Sequence, residues 1–216
     1  MTTDYRVLAE HYERCFERHG DSPQGVDWPK GEDAATRYGV MLEQVRDSSP
    51  ATILDFGCGL AHLLDYLEGS QFSHLDYAGL DVSERFVEAC RKKHPEVEFF
   101  QLDVLEEGVH LPSFDYIVMN GVFTEKRELS FDAMWSFTQA MLRAVWPAAK
   151  RGLAFNVMSK QVDWERDDLF HLPLDLLSEF LCAEVTRDFV IRNDYGLYEY
   201  TVYLRRSSAV MGVSDG

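Results

Sequence analysis

The chain has 216 residues, the usual length of one domain, of which 46% are hydrophobic and 27% are charged. This composition is typical of a globular protein and excludes disorder as the dominant state. The 37 acidic and 21 basic residues give a net charge of −16, which disfavours nucleic acid and anionic membrane surfaces, so we expect neither as a partner.

The cysteines and the first residues indicate a cytoplasmic protein. The four cysteines stand far apart, without a C-x-x-C pair or a Cys/His cluster at zinc spacing, so we expect neither a disulfide framework nor a bound metal. The N-terminal sequence lacks the basic start and the apolar run of a secretory signal. No stretch approaches 18 uninterrupted apolar residues, so we expect no transmembrane helix.

Residues 1–48 are predicted to be a helical extension that covers the main domain. Their first part is charged with weak helical character, and a loop with two prolines follows. Over residues 32–45 the apolar side chains recur at helical spacing, before a serine-rich break. Two aromatic side chains of this extension, Tyr12 and Trp28, either form a lid over a ligand or simply pack onto the body of the domain.

From residue 51 onwards, strand and helix patterns alternate. The apolar runs predict strands over residues 51–56, 77–82, 97–104, 114–123 and 151–158. Amphipathic segments predict helices over residues 61–68, 83–93 and 131–145. Such alternation is typical of a parallel sheet with helices on both faces.

The chain ends differently. Two strand-like runs, over residues 185–193 and 196–206, follow each other closely and predict an antiparallel hairpin. We therefore expect a single α/β domain over residues 1–216, with a doubly wound, mostly parallel seven-stranded sheet, the C-terminal hairpin and helices on both faces. Its core is expected over residues 49–206, followed by a flexible tail over residues 207–216.

The most informative segment is the run ILDFGCGLA at residues 53–61, in which a buried strand enters a turn with two glycines and then a helix. Gly57 and Gly59 let the backbone approach a ligand closely, and the following helix presents free N–H groups. Alone, this turn is weak evidence, because a strand–helix turn without any ligand has the same pattern.

Three aspartates at the ends of successive predicted strands strengthen the case. Asp55 precedes the glycine turn, Asp81 ends the second strand, and Asp103 ends the third. In a doubly wound fold, an acid at the end of the second strand binds ribose hydroxyls, and a carboxylate can also accept hydrogen bonds from an exocyclic amine. Each aspartate alone fits a solvated strand end, but together they predict a ligand crevice.

The turn favours S-adenosylmethionine over a dinucleotide as the ligand. A dinucleotide site requires G-x-G-x-x-G, and His62 stands where the third glycine would be. The carboxylate of Asp55 would repel a pyrophosphate, whereas it suits a ligand with an ammonium group. An NAD-linked oxidoreductase is therefore kept only as an alternative.

The run LDFGCGLA resembles motif I of the class I S-adenosylmethionine-dependent methyltransferases, which is an acid followed by G-x-G-x-G. The similarity continues in order through YAGLDVS, FFQLDV, FDYIVMNGVF and WPAAKRGLAFNV, and covers roughly residues 51–206. The sequence departs from the family at Ala61, the third glycine position, and at residues 147–149, where a proline is often followed by two glycines. The resemblance implies a small-molecule methyltransferase with S-adenosylmethionine as cofactor and S-adenosylhomocysteine as product.

The same resemblance assigns cofactor-binding roles to eight residues at or after the strand ends. They are Asp55, Gly57 and Gly59 for the methionine part, Asp81 and Val82 for the ribose, Asp103 and Val104 for the adenine, and Asn120 for the sulfonium region. Arg37, in the helix before the first strand, either reaches the carboxylate of the cofactor or pairs with a nearby acid.

The acceptor pocket is expected above the ends of the fourth and fifth strands, because methyl transfer requires the acceptor atom close to the methyl group. The candidate acceptor-binding residues are Phe123, Asn156, Asp163 and Trp164. The loop that carries the last two reads equally well as a solvated surface loop. His171 is the candidate general base, with a structural role as the alternative.

The acceptor is expected to be an oxygen atom of a sugar, a sugar nucleotide or a secondary metabolite. Residues 120–123 lack the N-P-P-Y signature of amide and base N-methyltransferases, which disfavours nitrogen. A homodimer is left open. A noncatalytic scaffold that keeps the fold is the other alternative, and the intact aspartates and glycines of the turn argue against it.

Overall fold

A computed structural model of the chain describes residues 5–28, 30–46 and 48–206. The tail that the sequence predicts to be flexible, residues 207–216, lies outside the described residues. Within the described ranges, no helix is both long and apolar enough to cross a membrane.

Eight strands of the described chain form one sheet. They are β1 (Ala51–Phe56), β2 (Leu75–Asp81), β3 (Glu98–Gln101), β4 (Phe114–Phe123), β5 (Ala149–Ser159), β6 (His171–Leu172), β7 (Phe189–Arg192) and β8 (Glu199–Arg205). Their order is β3-β2-β1-β4-β5-β8-β7, and β6 pairs with β5 outside this path. All pairs are parallel except those of β8, which runs antiparallel to β5 and β7. The prediction of a mostly parallel α/β sheet with a C-terminal antiparallel hairpin is confirmed, and the sheet has one strand more than the seven expected because the two-residue strand β6 pairs with β5.

Helices cover both faces of this sheet. They are α1 (Arg6–His19), α2 (Gly31–Leu42), α3 (His62–Glu68), α4 (Glu84–Lys93), α5 (Phe131–Val145) and α6 (Leu174–Phe180). Two of them begin at a serine cap, because Ser83 accepts a hydrogen bond from the Phe86 amide and Ser130 from the Ala133 amide.

The central strands build one apolar layer on each face of the sheet, because successive side chains of a strand point to opposite faces. Leu54 of β1 and Ile117 of β4 pack in the layer that includes α5 and α6. Their chain neighbours Ile53 and Val118 pack in the layer that includes α2, α3 and α4. All four side chains are fully buried, which explains why β1 and β4 read as near-continuous apolar runs.

Three strands are shorter than the sequence predicts, and one of them, β8, begins at Glu199 rather than at residue 196. Strand β3 ends at Gln101, since Asp103 turns back to accept a hydrogen bond from the Leu105 amide (3.1 Å) and so leaves the ladder. The predicted strand over residues 185–193 loses its first residues, because the α6 helix continues through Leu181–Val185 as a π-helical turn.

Residues 6–19 form a regular α-helix, although their charged sequence indicates only weak helical character. Helix α1 spans 14 residues, and Leu8 and Cys15, two turns apart on one face, are buried. A helix of this length is marginal in isolation, so its packing against the domain stabilises it.

The strand order reverses between β1 and β4, which is the place where open α/β sheets bind ligands beyond the carboxyl ends of their strands. Residues 5–28 lie against this edge. The Tyr5 hydroxyl donates to Asp103 (2.6 Å), and the Ser83 hydroxyl donates to Glu13 (2.6 Å). The N-terminal segment therefore covers the edge at which the sequence predicts the ligand.

Candidate active site

The turn after β1 keeps its backbone open for a ligand. Gly57 (φ +75°) and Gly59 (φ +52°) adopt left-handed backbone conformations that favour glycine. The Gly57 amide donates to the Leu80 carbonyl (2.7 Å), which ties the turn to β2. A Cβ atom on Gly57 would lie 2.9 Å from Cγ2 of Val122, and one on Gly59 would lie 3.1 Å from Cγ1 of Val26. Side chains at these positions would therefore fill the cradle that a ligand needs.

Asp81 closes the turn from the end of β2. Its carboxylate accepts hydrogen bonds from the amides of Gly59 (3.0 Å) and Ser83 (2.9 Å). Burial raises the pKa of this carboxyl, and the backbone hydrogen bonds partly oppose the shift. Because a carboxylate offers about four acceptor positions, Asp81 can still receive the hydroxyls of a ligand.

Asp55 lies deeper, at the end of β1, and is only 4% exposed. The Tyr77 hydroxyl donates a hydrogen bond to it (2.9 Å). Burial raises the pKa of Asp55 to about 7; the Tyr77 hydrogen bond lowers it, and the charge of Asp81 raises it further. An approaching cation, such as an ammonium group, would favour the ionised form of this carboxyl.

Asp103 lies beyond the end of β3 beneath the N-terminal segment. It accepts the hydrogen bond from the Tyr5 hydroxyl (2.6 Å), and the Tyr5 ring stacks on Phe137 with centroids 5.0 Å apart. These contacts place a carboxylate next to two aromatic rings. Such a setting suits a flat heteroaromatic group that carries an amine.

The eight residues assigned to the cofactor at the strand ends line one cavity of about 170 Å³. They are Asp55, Gly57, Gly59, Asp81, Val82, Asp103, Val104 and Asn120. Tyr12 and Trp28 line the same cavity, so the lid alternative describes their position better than simple packing onto the domain. Cavity walls from β1, β2 and β4 therefore meet a roof from the N-terminal segment.

Asn120 provides a polar atom that the described residues do not use. Its Oδ1 is buried and accepts no hydrogen bond from any described residue. A buried acceptor without a donor costs free energy, so a ligand N–H or O–H group at this place would be favourable. Together with the open glycine cradle, this atom fits S-adenosylmethionine.

Arg37 does not line the cavity. Its Nε donates to both carboxylate oxygens of Glu199 (3.0 and 2.8 Å), and its guanidinium lies 4.8 Å from the centre of the Trp28 ring. The alternative of pairing with an acid therefore describes this arginine, rather than binding to the carboxylate of the cofactor. Glu199, at the start of β8, is 2% exposed, and the local sequence does not indicate which residue neutralises its charge.

Phe123 and Asn156 are too deeply buried to contact an acceptor. The Phe123 ring packs edge-on against Phe137 and Phe155 within the apolar layer. Asn156 is 0% exposed, accepts from the Gly121 amide (2.8 Å) and donates to Glu199 (2.9 Å). The acceptor-binding roles expected for both residues are corrected to core packing and internal hydrogen bonding.

Asp163 and Trp164 lie on the surface loop between β5 and β6, and neither lines the cavity. Trp164 is 73% exposed. The solvated-loop alternative therefore describes their position in this structure.

His171 serves the fold of this loop. Its Nδ1 donates to the Ser159 carbonyl (2.6 Å), and its Nε2 accepts from the Arg166 amide (3.2 Å). One neutral tautomer satisfies both bonds, so neither nitrogen is left to take a proton from an acceptor. The expected role of general base is corrected to the structural alternative.

A charged cluster that the sequence does not predict lies beside Tyr12. Glu125, two residues after β4, lies with Oε2 3.1 Å from Nε of Arg127 but outside hydrogen-bonding geometry. Burial raises the pKa of Glu125 to about 7; the charge of Arg127 lowers it, and those of Asp27 and Asp168 raise it. The available signal in the sequence is the acid followed by two bases in the TEKR run that follows β4.

The same cluster contains the atoms that most resemble a metal site among the described residues. His11, Cys15 and Asp27 bring their ligand atoms within 4.8 Å of one another. The guanidinium of Arg127 contacts both His11 and Asp27, and also lies 3.3 Å from Asp168. A positive charge therefore already occupies the place that a cation would take.

Known proteins resemble this chain in sequence and in fold. A family described as a methyltransferase domain matches residues 54–150. A Mycobacterium tuberculosis protein named as a methyltransferase is 31% identical over 170 residues, which are 76% of this chain and 98% of that protein.

Two solved structures illustrate the likeness of the fold. The magnesium protoporphyrin IX methyltransferase of Synechocystis, with bound S-adenosylhomocysteine, has a TM-score of 0.62 at 15% identity, over 95% of this chain and 97% of that one. The 1,6-didemethyltoxoflavin N1-methyltransferase of Burkholderia thailandensis, with its substrate and S-adenosylhomocysteine, has a TM-score of 0.63 at 18% identity, over 95% and 90%.

Proposed function

This chain belongs to the class I S-adenosylmethionine-dependent methyltransferases, and we propose that it methylates an oxygen atom of a polar small molecule. When bound, S-adenosylmethionine supplies an electrophilic methyl group on its sulfonium. A sugar, a sugar nucleotide or a hydroxylated secondary metabolite is the expected acceptor. The net charge of −16 supports a small molecule over nucleic acid.

The observation that carries the proposal is the convergence of the strand-end residues on one cavity. In the proposed complex, Asp81 accepts the ribose hydroxyls and Asp103 receives the adenine amine. Asp55 faces the ammonium group beside the open turn of Gly57 and Gly59. These residues lie at or just after the ends of β1, β2 and β3, so the sheet itself sets the spacing between the two ends of the cofactor.

The acceptor would approach from the side of the cavity formed by Tyr12, Trp28, Gly121 and Val122. Methyl transfer needs little covalent chemistry from the protein, because holding the acceptor in line with the methyl group supplies much of the rate enhancement. The aromatic rings of Tyr12 and Trp28 are suited to hold the body of an acceptor there and to exclude water.

Glu125 supports a hydroxyl acceptor. The Tyr12 hydroxyl forms a hydrogen bond with Thr124, and burial followed by the charge of Glu125 raises the pKa of this phenol, so it stays protonated at neutral pH. Glu125 itself has a pKa of about 7. Glu125 does not line the cavity itself but lies beside Tyr12, which does, so it would take up the proton that a hydroxyl group loses on methylation only through an intervening water.

A nitrogen acceptor is the second candidate. Oδ1 of Asn120 lacks a donor among the described residues, and it would accept an N–H group as readily as an O–H group. One solved structure with this fold is named as an N1-methyltransferase.

The test uses S-adenosylmethionine with a deuterated methyl group and a panel of sugars, sugar nucleotides, phenols and amines. Mass spectrometry detects the transferred label, and NMR of the product assigns it to oxygen or nitrogen. We expect an O-methyl product from the wild type and much less of it from Asp81→Ala at the same cofactor concentration. Labelling of nitrogen alone would replace the proposal by the second candidate, and failure of the protein to bind S-adenosylhomocysteine would overturn the assignment of the site.

A further inference from the structure

We propose that Asn156, Glu199 and Arg37 form a buried positioning network that fixes the backbone of Asn120 and Gly121 against the methionine part of the cofactor. The inference rests on the cofactor assignment made above and concerns residues that do not line the cavity themselves. It gives a function in catalysis to three side chains that lie behind the site.

The network is a continuous chain of hydrogen bonds. The Gly121 amide donates to Oδ1 of Asn156 (2.8 Å), and Nδ2 of Asn156 donates to Oε1 of Glu199 (2.9 Å). Nε of Arg37 donates to both oxygens of Glu199 (3.0 and 2.8 Å). Each link joins a different element: the turn within β4, then β5, β8 and α2.

The direction of these bonds matters. Oδ1 of Asn156 must face Gly121, because only an oxygen can accept its amide proton. The amide group of Asn156 then has to present Nδ2 to a buried acceptor, and Glu199 supplies it. Without an acceptor at position 199, Nδ2 would be buried without a partner, and rotation of the side chain would become favourable.

Stability alone does not explain a buried ion pair at this place. The Glu199 side chain is 1% exposed and that of Arg37 is 19% exposed. Removing two charges from water costs several kcal/mol, and apolar residues of similar volume often stabilise a fold as well or better. A role in orienting the Asn156 amide accounts for the charge of Glu199, and Arg37 provides the compensating cation.

The end of the network touches the cavity directly. Gly121 has a left-handed backbone (φ +83°), which no β-branched or bulky residue adopts without strain. On one side it adjoins Asn120, whose free Oδ1 is buried at the cavity. On the other side it adjoins Val122, which packs on the glycine turn at Gly57. A shift of this backbone would therefore move both walls around the methionine part.

The other end of the network reaches the roof. The Arg37 guanidinium lies over the Trp28 ring, and Trp28 also lies beside Gly121, 3.8 Å from where a Cβ atom would stand. The same arginine therefore contacts the buried acid and the aromatic residue that covers the turn.

The test compares two ligands, S-adenosylhomocysteine and adenosine, on the full chain. Adenosine carries the adenine and ribose but lacks the methionine part; its affinity is measured by competition against S-adenosylhomocysteine. We expect Glu199→Ala and Asn156→Ala to weaken S-adenosylhomocysteine binding at least tenfold and adenosine binding less than twofold. Glu199→Gln keeps an acceptor for Nδ2 and should recover most of the affinity.

The matched control is Glu43→Ala, which removes a surface carboxylate that pairs with Arg192 on β7, and it should change neither affinity. Equal weakening of both ligands in the network variants would indicate a general structural role and overturn the proposal. Unchanged affinity for S-adenosylhomocysteine in folded Asn156→Ala would overturn it as well. If neither alanine variant folds, Arg37→Met is tested by the same comparison of the two ligands. A loss of affinity of about threefold or more for S-adenosylhomocysteine, without a loss for adenosine, would support the proposal. Failure of the wild type to bind S-adenosylhomocysteine would instead overturn the proposed function.

Discussion

Replacement of Asp55 by asparagine should stabilise the protein without cofactor while it weakens cofactor binding. Asp55 is 4% exposed, has the Tyr77 hydroxyl as a hydrogen-bond donor and lies near the charge of Asp81. These surroundings raise its pKa from about 3.9 in an unfolded chain to about 7. The folded state therefore binds more protons than the unfolded state between pH 4 and 7.

The sign of the effect follows from this difference. When the pKa of a carboxyl is raised by folding, its contribution to stability is greatest below the unfolded pKa and decreases as pH rises towards the folded pKa. A pKa difference of one between the folded and unfolded states corresponds to about 1.4 kcal/mol, so the ionised Asp55 destabilises the fold at pH 8 by roughly 2–4 kcal/mol. An asparagine side chain at this position cannot ionise, and its amide oxygen can still accept the Tyr77 hydrogen bond.

Urea denaturation at pH 5 and pH 8 measures this difference. We expect Asp55→Asn to exceed the wild type by a few kcal/mol at pH 8 and by much less at pH 5. The control is Asp76→Asn, at an exposed position on the neighbouring strand β2, which should change stability little at either pH. A variant that is destabilised equally at both values would refute the assigned burial and pKa of Asp55.

The same carboxyl should make cofactor binding depend on pH. At pH 6 most of the Asp55 carboxyl is protonated, and an ammonium group at this place requires the ionised form. Binding of S-adenosylhomocysteine should therefore release a proton and strengthen as pH rises from 6 to 8. Calorimetry in two buffers of different ionisation enthalpy measures the number of protons released on binding. Asp55→Asn should bind S-adenosylhomocysteine weakly and release no proton. Equal affinity of the wild type at both pH values would contradict a role beside the ammonium group.

Asp81→Ala should weaken S-adenosylmethionine binding at least tenfold, about 1.4 kcal/mol, because charge-assisted hydrogen bonds to the ribose are lost. The control Asp76→Ala should leave the affinity measured by calorimetry unchanged. His171→Ala should cost about 2–3 kcal/mol in denaturant unfolding, because two partly buried hydrogen bonds are lost, and it should leave cofactor affinity unchanged. A large loss of turnover at full stability would restore the histidine as a base. Glu125→Gln should lower turnover and abolish the rise of kcat/KM through pH 7, and an unaltered pH profile would remove Glu125 from proton transfer.

The parts of the fold and site that could be predicted from sequence are those encoded by local patterns. The glycine turn and Asp81 were found because strand, turn and helix succeed one another within a short segment, and because parallel strands place their carboxyl ends on one edge. The buried runs of β1 and β4 were read correctly, since both of their faces are covered.

The parts that were missed depend on contacts between distant residues. Arg37 and Glu199 are 162 positions apart, so no local pattern shows that they pair. A glutamate at the start of the apolar run YEYTVYL was nevertheless a signal, because a charge within a buried strand needs a partner. His171 was chosen for its chemistry, and only the three-dimensional structure shows that both ring nitrogens are already bonded.

The floor and the roof of the cavity are held by different kinds of interaction. The floor of the cavity is formed at the ends of β1, β2 and β4, which backbone hydrogen bonds join into one sheet. The roof, residues 5–28, is held by side-chain pairs such as Tyr5–Asp103 and Ser83–Glu13. The roof also buries Leu8 and Cys15 and stacks Tyr5 on Phe137, so displacing it breaks apolar contacts as well as these hydrogen bonds. Asp103 accepts the Tyr5 hydroxyl in this structure, so the proposed bond from the adenine amine would be an additional one to the same carboxylate.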